Sequence, residues 1–256
     1  MKIKILLLFF VAVVFICRAQ GQEGDFGLFN RSLNNTAHGY QIVIDPTGSA
    51  PTKQVEAFEV RPGDCFSNSS WNDCRSDRER SELSEANKNT VEGDEYWYSW
   101  SFYLAKDFPN ISPTKATFGQ FHQRSSHPIW MFEHNKEGLY LTKLVSGVIE
   151  KYALLAEDTL RGKWHKIEIH VKWSKDKDGF FNVWLDTVRK VSFQGQTMDA
   201  KNVYFKYGLY RAFLSRYQPL NIQGNLDAIE VPKQKIYYAN VKRATSRKGL
   251  TPLIEH

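Results

Sequence analysis

Tyr204-Phe205-Lys206-Tyr207-Gly208-Leu209-Tyr210-Arg211 alternates with the period of a β-strand. Tyr204, Lys206, Gly208 and Tyr210 fall on one side, and Phe205, Tyr207 and Leu209 on the other. The second side is apolar and reads as core. The first carries an ammonium, two phenols and a glycine, and a glycine inside a strand often marks something approaching the backbone closely. One face of this strand packs while the other can hold a polar, anionic ligand. Taken alone, the segment favours the plainer reading, a solvated face with its usual Lys and Tyr.

Two further stretches shift the balance. Ala116-Thr117-Phe118-Gly119-Gln120-Phe121-His122-Gln123 alternates as well and puts Gln120 and His122 on one face. Arg78-Glu79-Arg80-Ser81-Glu82-Leu83 puts Arg78, Arg80 and Glu82 on one face. A single histidine in a strand is more often structural than catalytic. Arg, Gln, His, Lys and Tyr from three such strands together form a set suited to proton abstraction beside a carboxylate.

The remaining chain reads as all-β. Short aromatic and β-branched runs recur between Gly, Asn, Asp and Pro, and long amphipathic helical patterns are missing. Strands are expected at 40–45, 54–60, 95–104, 164–173, 180–185 and 236–241, with a hairpin joining 129–133 to 139–144. Arg61-Pro62-Gly63-Asp64 reads as a turn. His165 and His170 read as structural, because nothing near them in sequence completes a site. The basic run from Lys242 to Lys248 reads as solvated.

Residues 1–21 have the pattern of a secretory signal: Lys2 and Lys4, an apolar run from Ile5 to Ile16, then small residues at Ala19 and Gly21. The run is too short to span a membrane, and Phe15 and Ile16 are too bulky for a lipoprotein signal ending at Cys17. Cleavage after Ala19 and after Gly21 both fit; with the signal taken as 1–21, residues 22–256 form one sandwich domain, with no linker or repeat. Cleavage would remove three basic residues and no acid, lowering the formal charge from +6 to about +3. That charge fits an acidic polymer and is weak evidence for nucleic acid. A secreted protein, extracellular or periplasmic, is expected.

Cys65 and Cys74 are the cysteines beyond the signal, and an even pair in a secreted chain reads as a disulfide. The sequence holds no HExxH, CxxC or EF-hand pattern and no P-loop, GxGxxG or GxSxG. No metal site is expected, although loop carbonyls leave room for a structural Ca²⁺. Asn30, Asn34, Asn68 and Asn110 each open an N-x-S/T sequence.

Arg80-Ser81-Glu82-Leu83, Gln120-Phe121-His122 and Tyr204-Phe205-Lys206-Tyr207-Gly208-Leu209-Tyr210 resemble, in order and spacing, the three signature strands of jelly-roll polysaccharide lyases. That group includes alginate lyases, glucuronan lyases and heparin lyase I. The resemblance runs from about Tyr40 to the end of the chain. It implies a β-jelly roll of two antiparallel sheets with a concave substrate groove, and β-elimination on a uronic-acid polymer by a monomer needing no cofactor. The alginate-lyase pattern has Arg where this chain has Ser84, Ala where it has Tyr207 and Gln where it has Ala212. These departures favour glucuronan-type or other glucuronate polymers, then heparin or heparan sulfate, then alginate.

In β-elimination a base takes the C5 proton beside the carboxylate and the 4-O-glycosidic bond leaves. By resemblance, Arg80 and Gln120 neutralise the carboxylate. His122 is a candidate base or a partner of the tyrosine, and Tyr210 is the candidate acid that can also act as base. Lys206 would bind a carboxylate or sulfate, and Glu82 would orient Arg80. Arg78, Tyr204 and Arg211 complete the expected substrate contacts. A glycoside hydrolase on a similar sandwich is the first rival, but it needs two carboxylates. The nearest pattern, Asn225-Leu226-Asp227-Ala228-Ile229-Glu230, has Asn225 where the first Glu belongs. A non-catalytic carbohydrate-binding protein is the second.

Overall fold

The computed structural model describes residues 26–87, 89–217 and 230–251. The expected signal and most of the 225–230 stretch lie outside the described residues. Fifteen strands follow in chain order: β1 (Phe29–Ser32), β2 (Tyr40–Ile44), β3 (Gln54–Val60), β4 (Arg78–Glu85), β5 (Thr90–Val91), β6 (Glu95–Leu104), β7 (Lys115–Gln123), β8 (Pro128–Asn135), β9 (Gly138–Val145), β10 (Val148–Ala156), β11 (Trp164–Lys172), β12 (Phe180–Leu185), β13 (Val188–Gln194), β14 (Asn202–Ala212) and β15 (Gln234–Ala244). They form two antiparallel sheets. One has eight strands, ordered β1-β4-β14-β7-β8-β9-β10 with β5 also on β14. The other has seven, ordered β13-β12-β11-β6-β15-β3-β2. β4, β14 and β7, which carry the three polar stripes, are therefore hydrogen-bonded neighbours although far apart in sequence.

The sheets meet over an aromatic core. Phe205 of β14 packs on Trp100 of β6 with ring centroids 4.9 Å apart, and Tyr98 meets Phe121 at 4.9 Å. Trp130 of β8 stacks on Phe181 of β12 at 4.0 Å. Phe205, Tyr207 and Leu209 are all buried on this inner side. Full burial of such a side chain is worth roughly 1.5–3 kcal/mol, so the alternation decides which way β14 faces. The other stripe must then point away from the second sheet.

Three local expectations are corrected. The body that approaches Gly208 is the protein itself. A Cβ there would lie 2.4 Å from the Ser81 carbonyl and 2.7 Å from Phe58 Cδ1, at φ +130°. β14 bulges against β7 between Tyr207 and Tyr210, and the Tyr238 hydroxyl of the opposite sheet reaches the Gly208 carbonyl at 2.8 Å. Tyr207 points into the core, where its hydroxyl donates to Glu56 at 2.9 Å, so its departure from the alginate-lyase pattern does not bear on a groove. Ser84 and Ala212 do share the face of Lys206 and Tyr210. The basic segment after Lys242 is not all solvated: β15 runs to Ala244, and the buried Arg243 donates to Glu85 at 2.7 Å.

Candidate active site

On the outer face of the eight-stranded sheet the register builds four successive rungs. Tyr210 lies opposite Arg80, Gly208 opposite Glu82, Lys206 opposite Gln120, and Tyr204 opposite His122. Arg80, Glu82, Gln120 and Lys206 are buried although they point away from the core. Such burial is tolerable only if each charge is paired and hydrogen-bonded.

Glu82 supplies most of that pairing. One carboxylate oxygen accepts from Lys206 Nζ at 2.6 Å and from Arg80 Nη1 at 3.1 Å. The other accepts from Gln120 Nε2 at 2.6 Å. Burial alone would push the Glu82 carboxyl up, but Lys206, Arg80 and these hydrogen bonds outweigh it and hold it below the ordinary range. Arg80 is also clamped from its other side, where Nε and Nη2 donate to the two oxygens of Asp73 at 2.7 and 2.6 Å. Asp73 is fully buried, and sequence reading missed it. Its only signal was its place beside Cys74 in the loop closed by the Cys65–Cys74 disulfide, whose Cα atoms stand 5.0 Å apart.

Two cations and two anions thus fix one another. An arginine, a lysine and a primary amide own more N–H groups than these bonds consume, so donors remain on all three. They are held in place before any ligand arrives, the preorganisation that electrostatic catalysis needs. Among the described residues no group of three His, Cys, Asp or Glu could hold a metal ion.

The two candidate proton-transfer residues stand at opposite ends of this cluster. His122 Nδ1 lies 2.8 Å from the Gln123 carbonyl, which fixes the proton on Nδ1 and leaves Nε2 with its lone pair. Burial first, and then the Lys206 charge, lower its pKa from 6.5 to about 4. Its ring lies 5.3 Å from that of Tyr204, whose hydroxyl burial pushes up to about 12. Tyr210 carries the Arg80 guanidinium over its ring at 4.5 Å. Burial raises its pKa, against the opposing pull of Arg80 and Arg78. Arg78 stacks over the Phe213 ring at 4.2 Å at this end of the face.

Arg211 is the expected site residue that the structure does not bring here. It follows Tyr210 and so points to the other side of β14. There it is fully buried, paired with Glu79 and donating to the Pro232 carbonyl at 2.6 Å. His165 and His170 lie on β11 in the other sheet and bind Asp186 and Glu95.

A family model described as polysaccharide lyase matches residues 20–242. No curated protein sequence matches the chain. Among solved structures, endo-β-1,4-glucuronan lyase from the fungus Trichoderma reesei superposes with a TM-score of 0.61 at 17% identity, covering 89% of this chain and 92% of that one. The alginate lyase AlgAT5 of polysaccharide lyase family 7 superposes with a TM-score of 0.55 at 16% identity, covering 82% and 83%. Alginate lyase AlyC3 reaches 0.52 at 10% identity, covering 81% and 90%. At these identities the likeness is one of fold, the two-sheet jelly roll.

Proposed function

The chain belongs to the polysaccharide lyase family, and we propose that it is a secreted enzyme that cleaves a glucuronate-containing polysaccharide by β-elimination on the Arg80–Tyr210 face. One observation carries this reading: Arg80, Gln120 and Lys206 converge on a single carboxylate between a histidine that is neutral at ordinary pH and a protonated tyrosine. A second carboxylate, that of a uronic acid, would meet the donors Glu82 leaves uncommitted. Neutralising it makes the C5 proton acidic enough to remove.

His122 Nε2 then takes that proton, the C5 electron pair forms the C4=C5 double bond, and the C4–O bond breaks. Tyr210 gives its phenolic proton to the departing glycosidic oxygen. One proton enters the protein and one leaves it, so exchange with solvent, in which His122 gives up its proton and Tyr210 regains one, resets the site. Protonation states favour this division of labour. A histidine with pKa near 4 is a base throughout the neutral range, and a buried phenol is an acid there.

Substrate choice follows from charge and shape. Asp73 and Glu82 offset Arg80 and Lys206, so the cluster has no surplus of positive charge for a heavily sulfated chain. Ser84 and Ala212 stand on the groove face where the alginate-lyase pattern has Arg and Gln. Glucuronan-type polymers rank first, heparin or heparan sulfate second and alginate third. A panel of these polymers under one near-ultraviolet assay tests the ranking, because elimination creates an absorbing unsaturated uronide. Absorbance should rise fastest with the glucuronate polymer. New reducing ends without absorbance would mean hydrolysis, and binding without either would mean a carbohydrate-binding protein.

A further inference from the structure

Trp71 is the one tryptophan of the seven that is exposed, with 49% of its surface open. Singly exposed apolar side chains are ordinary, so what sets Trp71 apart is how it is held. Nothing about its position is loose. Its backbone N–H donates to the Asn68 side chain at 2.9 Å, and its carbonyl accepts from the Asn68 N–H at 2.9 Å. Ser67 and Asn72 pair as an isolated β-bridge, and the Cys65–Cys74 disulfide closes the loop outside them. The indole is tied as well: Nε1 donates to Asp73 Oδ1 at 2.8 Å.

That same oxygen accepts from Arg80 Nη2 at 2.6 Å, so two consecutive hydrogen bonds join the exposed indole to the arginine beneath the Tyr210 ring. Trp71 therefore borders the polar face at its Tyr210 end. Tying the N–H into the protein leaves the ring's apolar surface as the part offered to solvent. A pyranose ring presents an apolar face of C–H groups, and a rigid, pre-oriented indole is the side chain that matches it at least entropic cost. Tyr210 is the proton donor to the glycosidic oxygen. The sugar nearest Trp71 is then the one that departs with that oxygen.

We infer that Trp71 is a sugar-stacking platform, a subsite of the groove for the sugar on the leaving-group side of the scissile bond. The inference rests on the lyase reading of the Arg80–Tyr210 face and adds the disulfide-closed loop to it as a wall that binds substrate. Asp73 acts as a positioning residue for both Trp71 and Arg80.

Three readouts test it: kinetics on a glucuronate polymer, polymer binding by calorimetry, and melting temperature. The variants are Trp71→Ala and Trp71→Phe, each also combined with Tyr210→Phe so that binding is read without turnover. Trp71→Ala should raise KM about tenfold, the scale of one lost aromatic contact, with kcat within about twofold. Binding in the Tyr210→Phe background should weaken by the same factor. Trp71→Phe keeps a ring and loses the N–H, and should recover most of the loss. All variants should melt within a few degrees of wild type. A Trp71→Ala enzyme with wild-type KM and binding overturns the inference. So does a Trp71→Phe variant as impaired as Trp71→Ala, which would place the effect in the Asp73 hydrogen bond. Failure of the lyase reading looks different: wild type would eliminate nothing, while calorimetry would still report whether Trp71 holds the polymer.

Discussion

Glu82 sits at the centre of the polar face with no solvent to share its charge, and two cations depend on it. Glu82→Gln would leave Lys206 buried without a counter-charge and Arg80 with Asp73 alone. Breaking such a network from one side costs roughly 3–5 kcal/mol, which a lowered urea midpoint would report. A midpoint unchanged from wild type would mean that the network contributes little to folding. His122 gives a prediction in pH. Its folded pKa of about 4 lies below the ordinary 6.5, so the native protein binds fewer protons than the unfolded chain between those values. Stability from this group is present above pH 6.5 and is lost as pH falls toward 4. As the base, His122 works in its neutral form, so the acid limb of kcat/KM should lie near pH 4. A limb near 6.5 would assign the proton abstraction elsewhere. The types at these positions were legible in the sequence because alternation puts Arg80, Glu82, Gln120, His122, Lys206 and Tyr210 on named faces. Their partners were not. Asp73 comes from a loop whose path is set by a covalent bridge, and no period records it.

Strand boundaries followed the pattern most closely where a strand is buried, as in β6, β3 and β12. β10 and β13 were not read from sequence, and both are edge strands with most residues exposed, so no core face imposed an alternation on them. The β14 bulge was hidden for another reason. Gly208 reports a close approach, but not what approaches. Gly208→Ala would drive a Cβ against the Ser81 carbonyl and Phe58 at a backbone angle that side chains rarely adopt. We expect a loss of about 2–4 kcal/mol and a fall in turnover together, because the bulge sets the Tyr210 rung relative to Lys206. Retention of both in thermal unfolding and steady-state assays would show that β4 and Phe58 can yield.

As a whole, the molecule is a two-sheet sandwich whose buried aromatic interior faces one way and whose neutralised charge cluster faces the other. No helix among the described residues is long and apolar enough to cross a membrane. The overall class was readable from strand periodicity, but the contacts that complete the face were not: Lys206 reaches Glu82 across 124 residues of chain, and β14 pairs with β4 from equally far away. The claim on which everything else depends is that this face performs elimination through Tyr210. Tyr210→Phe keeps the ring beneath Arg80 and removes only the transferable proton, so the variant should fold and bind polymer as wild type does. Tyr204→Phe, on the same face beside His122, serves as the comparison. The deciding measurement is the initial rate of near-ultraviolet absorbance on a glucuronate polymer for wild type and both variants. Turnover should fall by roughly 10²–10⁴ in Tyr210→Phe, the range of general acid–base catalysis, and far less in Tyr204→Phe. Near wild-type elimination by Tyr210→Phe would contradict the account.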